Sequence, residues 1–441
     1  MISYIDNFLF VIAFILSIFL FSYNFKKILH NIRLGRDENR FDKPRLRLKN
    51  MLRVAFGQGK MVSRPIAGIL HLIVYVGFIV INIELLEIII DGVFGSHRIF
   101  SSYFPKIYNI LIGSFEILAF LVLISVIIFW IRRNILKVKR FFKEEMIGWP
   151  KLDADLILYF EIILMSLFLT MNGADYTIQL NYPQNEVYVR AGSYPISQFL
   201  VPIFQDLSLN NLILLERLSW WFHILGIFIF LNYLYYSKHL HILLAFPNTY
   251  YANLESKGKF KNIDSVTSEV KLMLNDDNNF EDNDATEVES FGASDVTELS
   301  WIQLLNAYSC TECGRCTNEC PANLSGKKLS PRKIMMDTRD RLTEISKNRK
   351  AKSEKKFKGD GKKLLGDYIS TEEIWACTSC NACVESCPID IDPLSIIMSM
   401  RQYLVLENSA APSDLNSMMN NIENNGAPWP FNQDDRVNWI N

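Results

Sequence analysis

Residues 310–321 read CTECGRCTNECP, and residues 377–388 read CTSCNACVESCP. Both follow the pattern C-x2-C-x2-C-x3-C-P, and together they hold all 8 cysteines of the 441-residue chain. Three closely spaced thiolates wrap three corners of a [4Fe–4S] cube, while the fourth cysteine of such a run ligates the other cluster of a pair. This assigns Cys310, Cys313, Cys316 and Cys387 to one cluster, and Cys377, Cys380, Cys383 and Cys320 to the other. Pro321 and Pro388 lack an N–H, so each ends the local turn and redirects the chain. C-x2-C pairs also serve zinc, but a duplicated four-cysteine run with following prolines fits two cubane clusters better. Thiols packed into two dense motifs, rather than scattered as staples, also point to a reducing compartment.

About 56 residues separate the motifs, too many for a compact β-rich two-cluster ferredoxin. The flanking segments SPRKIMMDTRDRLTEI and PLSIIMSMRQYLVLE carry helical periodicity, so an α-helical ferredoxin domain is expected. The rest of the chain differs in kind. Five apolar segments, near 7–24, 66–90, 108–131, 155–171 and 213–237, are candidates to span the roughly 30 Å hydrocarbon core of a bilayer, the fourth being the shortest. Residues 26–64, after the first segment, carry 12 Lys or Arg against 3 acids, and RRNILKVKRFFKEE after the third is also basic. The loops at 91–107 and 172–212 hold only Arg98, Lys106 and Arg190 as cations. Basic loops stay on the cytoplasmic side. The expected topology is therefore N-terminus outside, five spans in the cytoplasmic (inner) membrane, and the cysteine motifs in the cytoplasm. The first segment lacks a basic n-region and a small-residue cleavage site, so it reads as a span and not as a signal peptide.

The expected architecture is mostly α: a five-helix transmembrane bundle (1–246), an acidic linker (247–300), and a cytoplasmic α-helical ferredoxin domain with two [4Fe–4S] clusters (301–410). That domain carries a basic insertion near 346–364, and a tail at 411–441 suits a partner contact. Residues 264–298 hold 11 acids and a single Lys, the composition of a solvated linker. A formal net charge of −1 argues against nucleic acid as a partner.

Of the 6 histidines, His223 and His241 are 18 residues apart, five turns and about 27 Å along a continuous helix. His71, some seven residues inside the second segment, lies at a depth comparable with His241. An imidazole in hydrocarbon is costly without a partner or ligand, so His71 and His241 are expected to ligate one b-type haem. His223 needs a partner for a second haem; Ile81 offers none, and His97 in the loop GSHRIF is the alternative. His30 and His239 read as membrane-surface residues.

At these residues the sequence resembles known families. RLSWWFHILGIFIFLNYLYYSKHLHILLAFP and RPIAGILHLIVYVGF resemble spans of the nitrate reductase gamma-subunit family of cytochromes b. That resemblance implies an inner haem at His71 and His241, while Ile81 stands where the family has its second histidine on this span. FGASDVTELSWIQLLNAYSCTECGRC, LSPRKI, IWACTSCNACVESCP and MRQYLVLE resemble heterodisulfide-reductase-related iron–sulfur proteins. The combination resembles the membrane-bound electron-transfer-flavoprotein:menaquinone oxidoreductases. In fused relatives a cysteine-rich CCG domain follows a segment like NNGAPWPFNQDDRVNW; here Asn441 comes next, so the resemblance implies a separate CCG-domain iron–sulfur subunit.

The resemblance implies an electron-transfer subunit that links a cytoplasmic flavoprotein donor, through that subunit, two [4Fe–4S] clusters and one haem b or two, to menaquinone in the lipid membrane. A membrane redox subunit of a lactate, glycolate or sulfur-compound dehydrogenase, or of a heterodisulfide-reductase-like complex, is the alternative. A redox sensor or plain anchor is a reading of another class, disfavoured because an anchor needs no imidazole in its spans. No catalytic triad, P-loop or dinucleotide-binding glycine motif is present, and no catalytic side chain is expected in this chain.

Overall fold

The structure is a computed structural model, and it describes residues 4–260, 262–274, 291–352 and 359–440. The acidic stretch at 275–290 and the basic one at 353–358 lie outside the described residues. Five long helices build the first part: α1 (Tyr4–Ile32), α2 (Pro65–Phe94), α3 (Pro105–Asn134), α4 (Trp149–Asn181) and α5 (Leu209–Tyr233). All five are long and apolar enough to cross a membrane. Proline opens α2 and α3, where the missing N–H costs nothing. Gly95 closes α2 at φ 72, a left-handed position that a β-carbon would strain.

Each helix packs on its neighbours in a closed circuit: α1 on α2, α2 on α3, α3 on α4, α4 on α5, and α5 back on α1. Phe10, Ile112, Phe115, Phe168 and Ile224 fill the interior. Large apolar side chains such as Phe8, Phe19, Ile69, Phe78, Ile110, Ile163 and Phe222 point outward. Helices with every backbone group bonded internally and an apolar exterior are what a bilayer tolerates. This is a membrane protein.

Two expectations need correction. The fourth segment is the longest of the described helices, at 33 residues. The apolar run stops near Met171, but polar Asn172, Asp175, Thr177 and Gln179 stay buried and bonded within the bundle, so the helix continues. The second concerns the helix carrying His223, which does not reach His241. It ends at Tyr233, and two 3-10 turns lead into α6 (His241–Tyr250). Ser237 is extended, and its hydroxyl accepts from the His239 N–H. Buried Asp153 on α4 accepts from the Tyr233 hydroxyl and from the Lys238 N–H at 3.0 Å. These contacts satisfy the groups freed by the break, and the continuous helix expected to carry both His223 and His241 does not exist.

Past α6 the described chain is again helical: α7 (Trp301–Ser309), α8 (Pro331–Lys352), α9 (Pro393–Gln402) and an exposed α10 (Ser413–Asn425). A capping box at Ser300 and Gln303 starts α7. One apolar cluster runs without interruption from Ile28, Phe230, Leu240 and Leu244 into Leu304, Ile334, Met335, Ile397 and Met400. The iron–sulfur part thus shares its core with the ends of the spans. An isolated bridge joins Arg36 to Ser300, with Arg36 N–H donating to Leu299 O at 2.8 Å. Gly35 permits this approach: a β-carbon there would meet Trp301 N at 2.7 Å.

Candidate functional site

The two cysteine loops are built alike. In the first, Glu312 and Gly314 take φ 55 and 70; in the second, Ser379 and Asn381 take φ 56 and 60. Such left-handed residues turn backbone amides into a concavity that suits an anion. Accordingly, the Glu312 N–H donates to Cys310 Sγ at 3.4 Å and the Ser379 N–H donates to Cys377 Sγ at 3.4 Å. The Ile391 N–H adds a bond to Cys387 Sγ at 3.3 Å. Gly314 has no room for a side chain, since a β-carbon would sit 2.5 Å from an Arg332 guanidinium nitrogen.

A short helix follows each loop, Arg315–Asn318 and Ala382–Ser386, and the two pack together. That packing carries the last cysteine of each motif to the other loop. Cys387 interacts electrostatically with Cys313 and Cys310, and Cys377 and Cys383 both do so with Cys320. Cys310, Cys313, Cys316 and Cys387 line one cavity, with Cys383 at its wall. Burial pushes the Cys310 thiol up to about 11 and the Cys383 thiol up to about 12. Such thiols become thiolates when metal binds, because a coordinating sulfur loses its proton outright. Among the described residues no three His, Cys, Asp or Glu are close enough to hold a single metal ion. A cubane spreads its four ligands over four irons, and this donor set of four sulfurs with inward amides fits it.

The first loop lies against the spans. Buried Arg315, between Cys313 and Cys316, donates to Lys60 O at 3.2 Å, to Met61 O at 3.3 Å and to Ser63 Oγ at 3.4 Å, in the turn that starts α2. Glu312 bonds Lys238 and, at 2.8 Å, Arg339. Burial opposes the Glu312 charge, but Arg339 and Lys238 outweigh it and hold the carboxyl below its usual range. Arg332, fully buried, donates to Glu145 Oε1 at 2.7 Å and to Arg140 O at 2.7 Å, both in the loop between α3 and α4. The second loop faces away, and Cys380 is the one exposed cysteine.

His71 on α2 and His241 at the start of α6 come together, with ring centres 6.4 Å apart and planes at 43°. Two imidazoles sharing one metal at bonds of about 2 Å each need ring centres roughly this far apart. His241 Nδ1 bonds Lys238 O at 3.2 Å, which leaves its Nε2 free. His71 Nδ1 is buried without a hydrogen-bond partner among the described residues. The residues therefore fit a bis-histidine metal centre. His239, read from a continuous helix as a surface residue, instead packs edge-on against His241 at 5.3 Å because the helix breaks before it. His30 is exposed at the end of α1.

His223 and His97 take separate partners. His223 Nδ1 bonds Leu164 O at 2.9 Å beside Phe168. His97 lies over the Tyr188 ring at 4.7 Å, with Nε2 3.5 Å from Asp175 Oδ2. Sequence reasoning missed Arg315, Arg332 and Glu312. For Glu312 and Arg315 the one available signal is charge placed between the cysteines of the first motif; Arg332 stands at the start of α8 and carries none.

Residues 309–391 match the 4Fe-4S dicluster domain family. Over 98% of its length the chain is 31% identical to the "Probable iron-sulfur-binding oxidoreductase FadF" of Bacillus subtilis, covering 60% of that protein. It is 26% identical, over 96% of its length, to the "EtfAB:quinone oxidoreductase" of Syntrophomonas wolfei, covering 58% of it. Over 27% of the chain it is 34% identical to one subunit of the ferredoxin/F(420)H(2)-dependent CoB-CoM heterodisulfide reductase of Methanosarcina acetivorans, covering 60% of that subunit. The chain thus spans about 60% of the length of the two relatives it matches end to end. No solved structure matches it. The family resemblance read from the sequence therefore holds: this is a membrane iron–sulfur protein with a 4Fe-4S dicluster domain, related to FadF and the EtfAB:quinone oxidoreductase throughout and to heterodisulfide reductase subunits in its cysteine-bearing part.

Proposed function

We propose that this chain conducts electrons between a cytoplasmic donor and menaquinone in the membrane. Cys310, Cys313, Cys316 and Cys387 would hold one [4Fe–4S] cluster, Cys377, Cys380, Cys383 and Cys320 the second, and His71 with His241 a haem b. When bound, these groups supply the one-electron steps; the protein supplies their position and surroundings.

The observation that carries this reading is a continuous order of sites. Cys380 presents the second cysteine set to solvent. Cys320 and Cys387 tie that set to the first, and Arg315 in the first loop grips the turn that leads into His71. His71 then faces His241 at 6.4 Å. These contacts lead from an exposed thiol to the membrane domain. Buried sulfurs with amide donors, the Arg315 charge and the Lys238–Glu312–Arg339 group set the electrostatics along it.

The donor proposed is an electron-transfer flavoprotein, acting through a CCG-domain subunit, by analogy with the relative named as an EtfAB:quinone oxidoreductase. Trp429, Phe431 and Trp439, exposed beyond α10, offer apolar anchors for such a subunit. The basic 26–64 and 132–145 loops support an orientation with the iron–sulfur part in the cytoplasm and the N-terminus outside. The test is anaerobic: chemically reduced protein is mixed with a soluble menaquinone analogue, and the iron–sulfur signals are followed. Wild type should reoxidise, while His71→Ala should keep its clusters reduced. Equal reoxidation of both would refute the exit through His71.

A further inference from the structure

The end of the bundle remote from the iron–sulfur part buries an unusual number of charges. Arg98, in the loop after α2, is 7% exposed and sits among Glu84 and Glu87 of α2, Tyr108 of α3 and Asp175 of α4, and Glu116 of α3 lies within electrostatic reach of Glu84. Most of these carboxylates have donors. Asp175 takes the Arg98 Nε–H and, at 3.0 Å, Gln179 Nε2–H. Glu87 takes the Phe100 N–H at 2.8 Å and the Tyr108 hydroxyl at 3.0 Å. Glu116 Oε2 takes the N–H groups of Ile196 and Ser197, both at 3.0 Å. Asp91, nearer the surface, takes the Arg98 N–H at 2.7 Å.

Glu84 differs. It is 1% exposed, and neither carboxyl oxygen has a hydrogen-bond partner among the described residues. Its nearest cation, Arg98 Nη1, is 3.9 Å away in a guanidinium already committed to Tyr108 and Asp175. Glu116 Oε1, fully buried, also lacks a donor among the described residues and lies within electrostatic reach of Glu84. Three carboxyls around one guanidinium, with Glu116 beside Glu84, leave an excess of negative charge in apolar surroundings, where an unpaired anion is expensive. The missing partner is a small cation, and two acceptor oxygens without donors call for the smallest.

We propose that Glu84 is a proton-binding site at the remote end of the bundle, with Glu116 and the Arg98-held carboxylates as its wall. A cavity bounded by Asn7, Asp91, Ser96, His97, Arg217 and Trp220 lies beside this cluster. His97 joins that cavity to the cluster, since its Nε2 lies 3.5 Å from Asp175 Oδ2 and makes no other hydrogen bond among the described residues. Asp6 of α1, Asp91 and Arg217 line that cavity, and the Arg98 guanidinium lies over the Tyr194 ring at 5.3 Å. Glu84 and His71 are 13 residues apart on α2, about 20 Å along its axis. The proton site is therefore separate from the proposed haem pair and does not depend on it.

The test is infrared difference spectroscopy of the full chain in lipid nanodiscs. Wild type at neutral pH should show a carboxylic-acid C=O band that shifts in deuterium oxide. Glu84→Gln should lack it, and Glu84→Asp should restore it at a displaced frequency. Glutamate-selective 13C labelling of the wild type must move the band, a readout that holds even if a variant misfolds. Absence of the band, its persistence in Glu84→Gln, or its insensitivity to the label would overturn the proposal. Loss of the band when sodium replaces choline would overturn it too, by making the site one for sodium.

Discussion

Arg332 allows the contact between the iron–sulfur part and the membrane loop to be tested quantitatively. Its side chain is fully buried, and Nε and Nη2 both donate to Glu145 Oε1, at 3.2 and 2.7 Å, while Nη1 donates to Arg140 O at 2.7 Å. Arg332→Met keeps much of the volume and removes the charge. Deleting one member of a buried ion pair costs about 3–5 kcal/mol, because the other is left uncompensated. Glu145 keeps one donor, the Ser330 hydroxyl at 2.7 Å, and its side chain is 10% exposed, so the lower end applies. The expected loss is therefore about 3 kcal/mol, roughly a hundredfold in the equilibrium holding the two parts together. Arg332→Met, Glu145→Gln and the double variant form a cycle. Each is unfolded by denaturant, with loss of iron–sulfur absorbance and hydrogen exchange in α8 as readouts. The double variant should lose markedly less than the sum of the singles, with a coupling of about 1.5–3 kcal/mol. Additivity within about 0.5 kcal/mol would refute the claim that this pair joins the two parts.

The exchanged fourth ligand predicts that Cys387→Ser perturbs the cluster of the 310–316 loop and Cys320→Ser that of the 377–383 loop. Paramagnetic resonance of each variant would contradict this if the altered signal followed the motif in which the serine lies. Gly314→Ala forces a β-carbon into a φ of 70 and toward Arg332, so a cost of about 1–3 kcal/mol should appear as earlier thermal loss of cluster absorbance. Burial opposes the Glu145 charge, but the Arg332 guanidinium and the Ser330 hydroxyl prevail and hold its carboxyl below the usual value. Its contribution is therefore complete above the unfolded value near 4.5 and fades as pH falls through the lower folded value. Denaturant midpoints should drop below pH 4.5 in wild type and less so in Glu145→Gln.

Much of the architecture is legible in residue order. Apolar runs bounded by basic loops mark the spans, and the duplicated cysteine pattern marks the second part. The fourth helix outruns its apolar segment because Asn172, Asp175 and Gln179, which read as an exit from the membrane, are paired inside the bundle. Their partners Arg98 and Tyr194 come from loops outside that helix. The His223–His241 spacing suggests one helix because nothing local in LYYSKHLH forbids it. The break is stabilised by Asp153, eighty residues earlier. For the same reason His239 reads as a surface residue, whereas it packs beside His241. The pairing of His71 with His241 rests on depth, which survives the break because both lie at the same end of the bundle. The acids Glu84, Glu87 and Asp91 do recur at i, i+3 and i+7 inside an apolar span, but their partners Arg98, Tyr108 and Asp175 come from a loop and two other helices and leave no local signal.

The central claim is that electrons leave the iron–sulfur part through a metal held by His71 and His241. An optical spectrum of the purified, dithionite-reduced protein tests it most directly. The account predicts a b-type α-band that is lost in both His71→Ala and His241→Ala and kept in His223→Ala. A wild type without that band, or an unchanged band in His71→Ala, would contradict it.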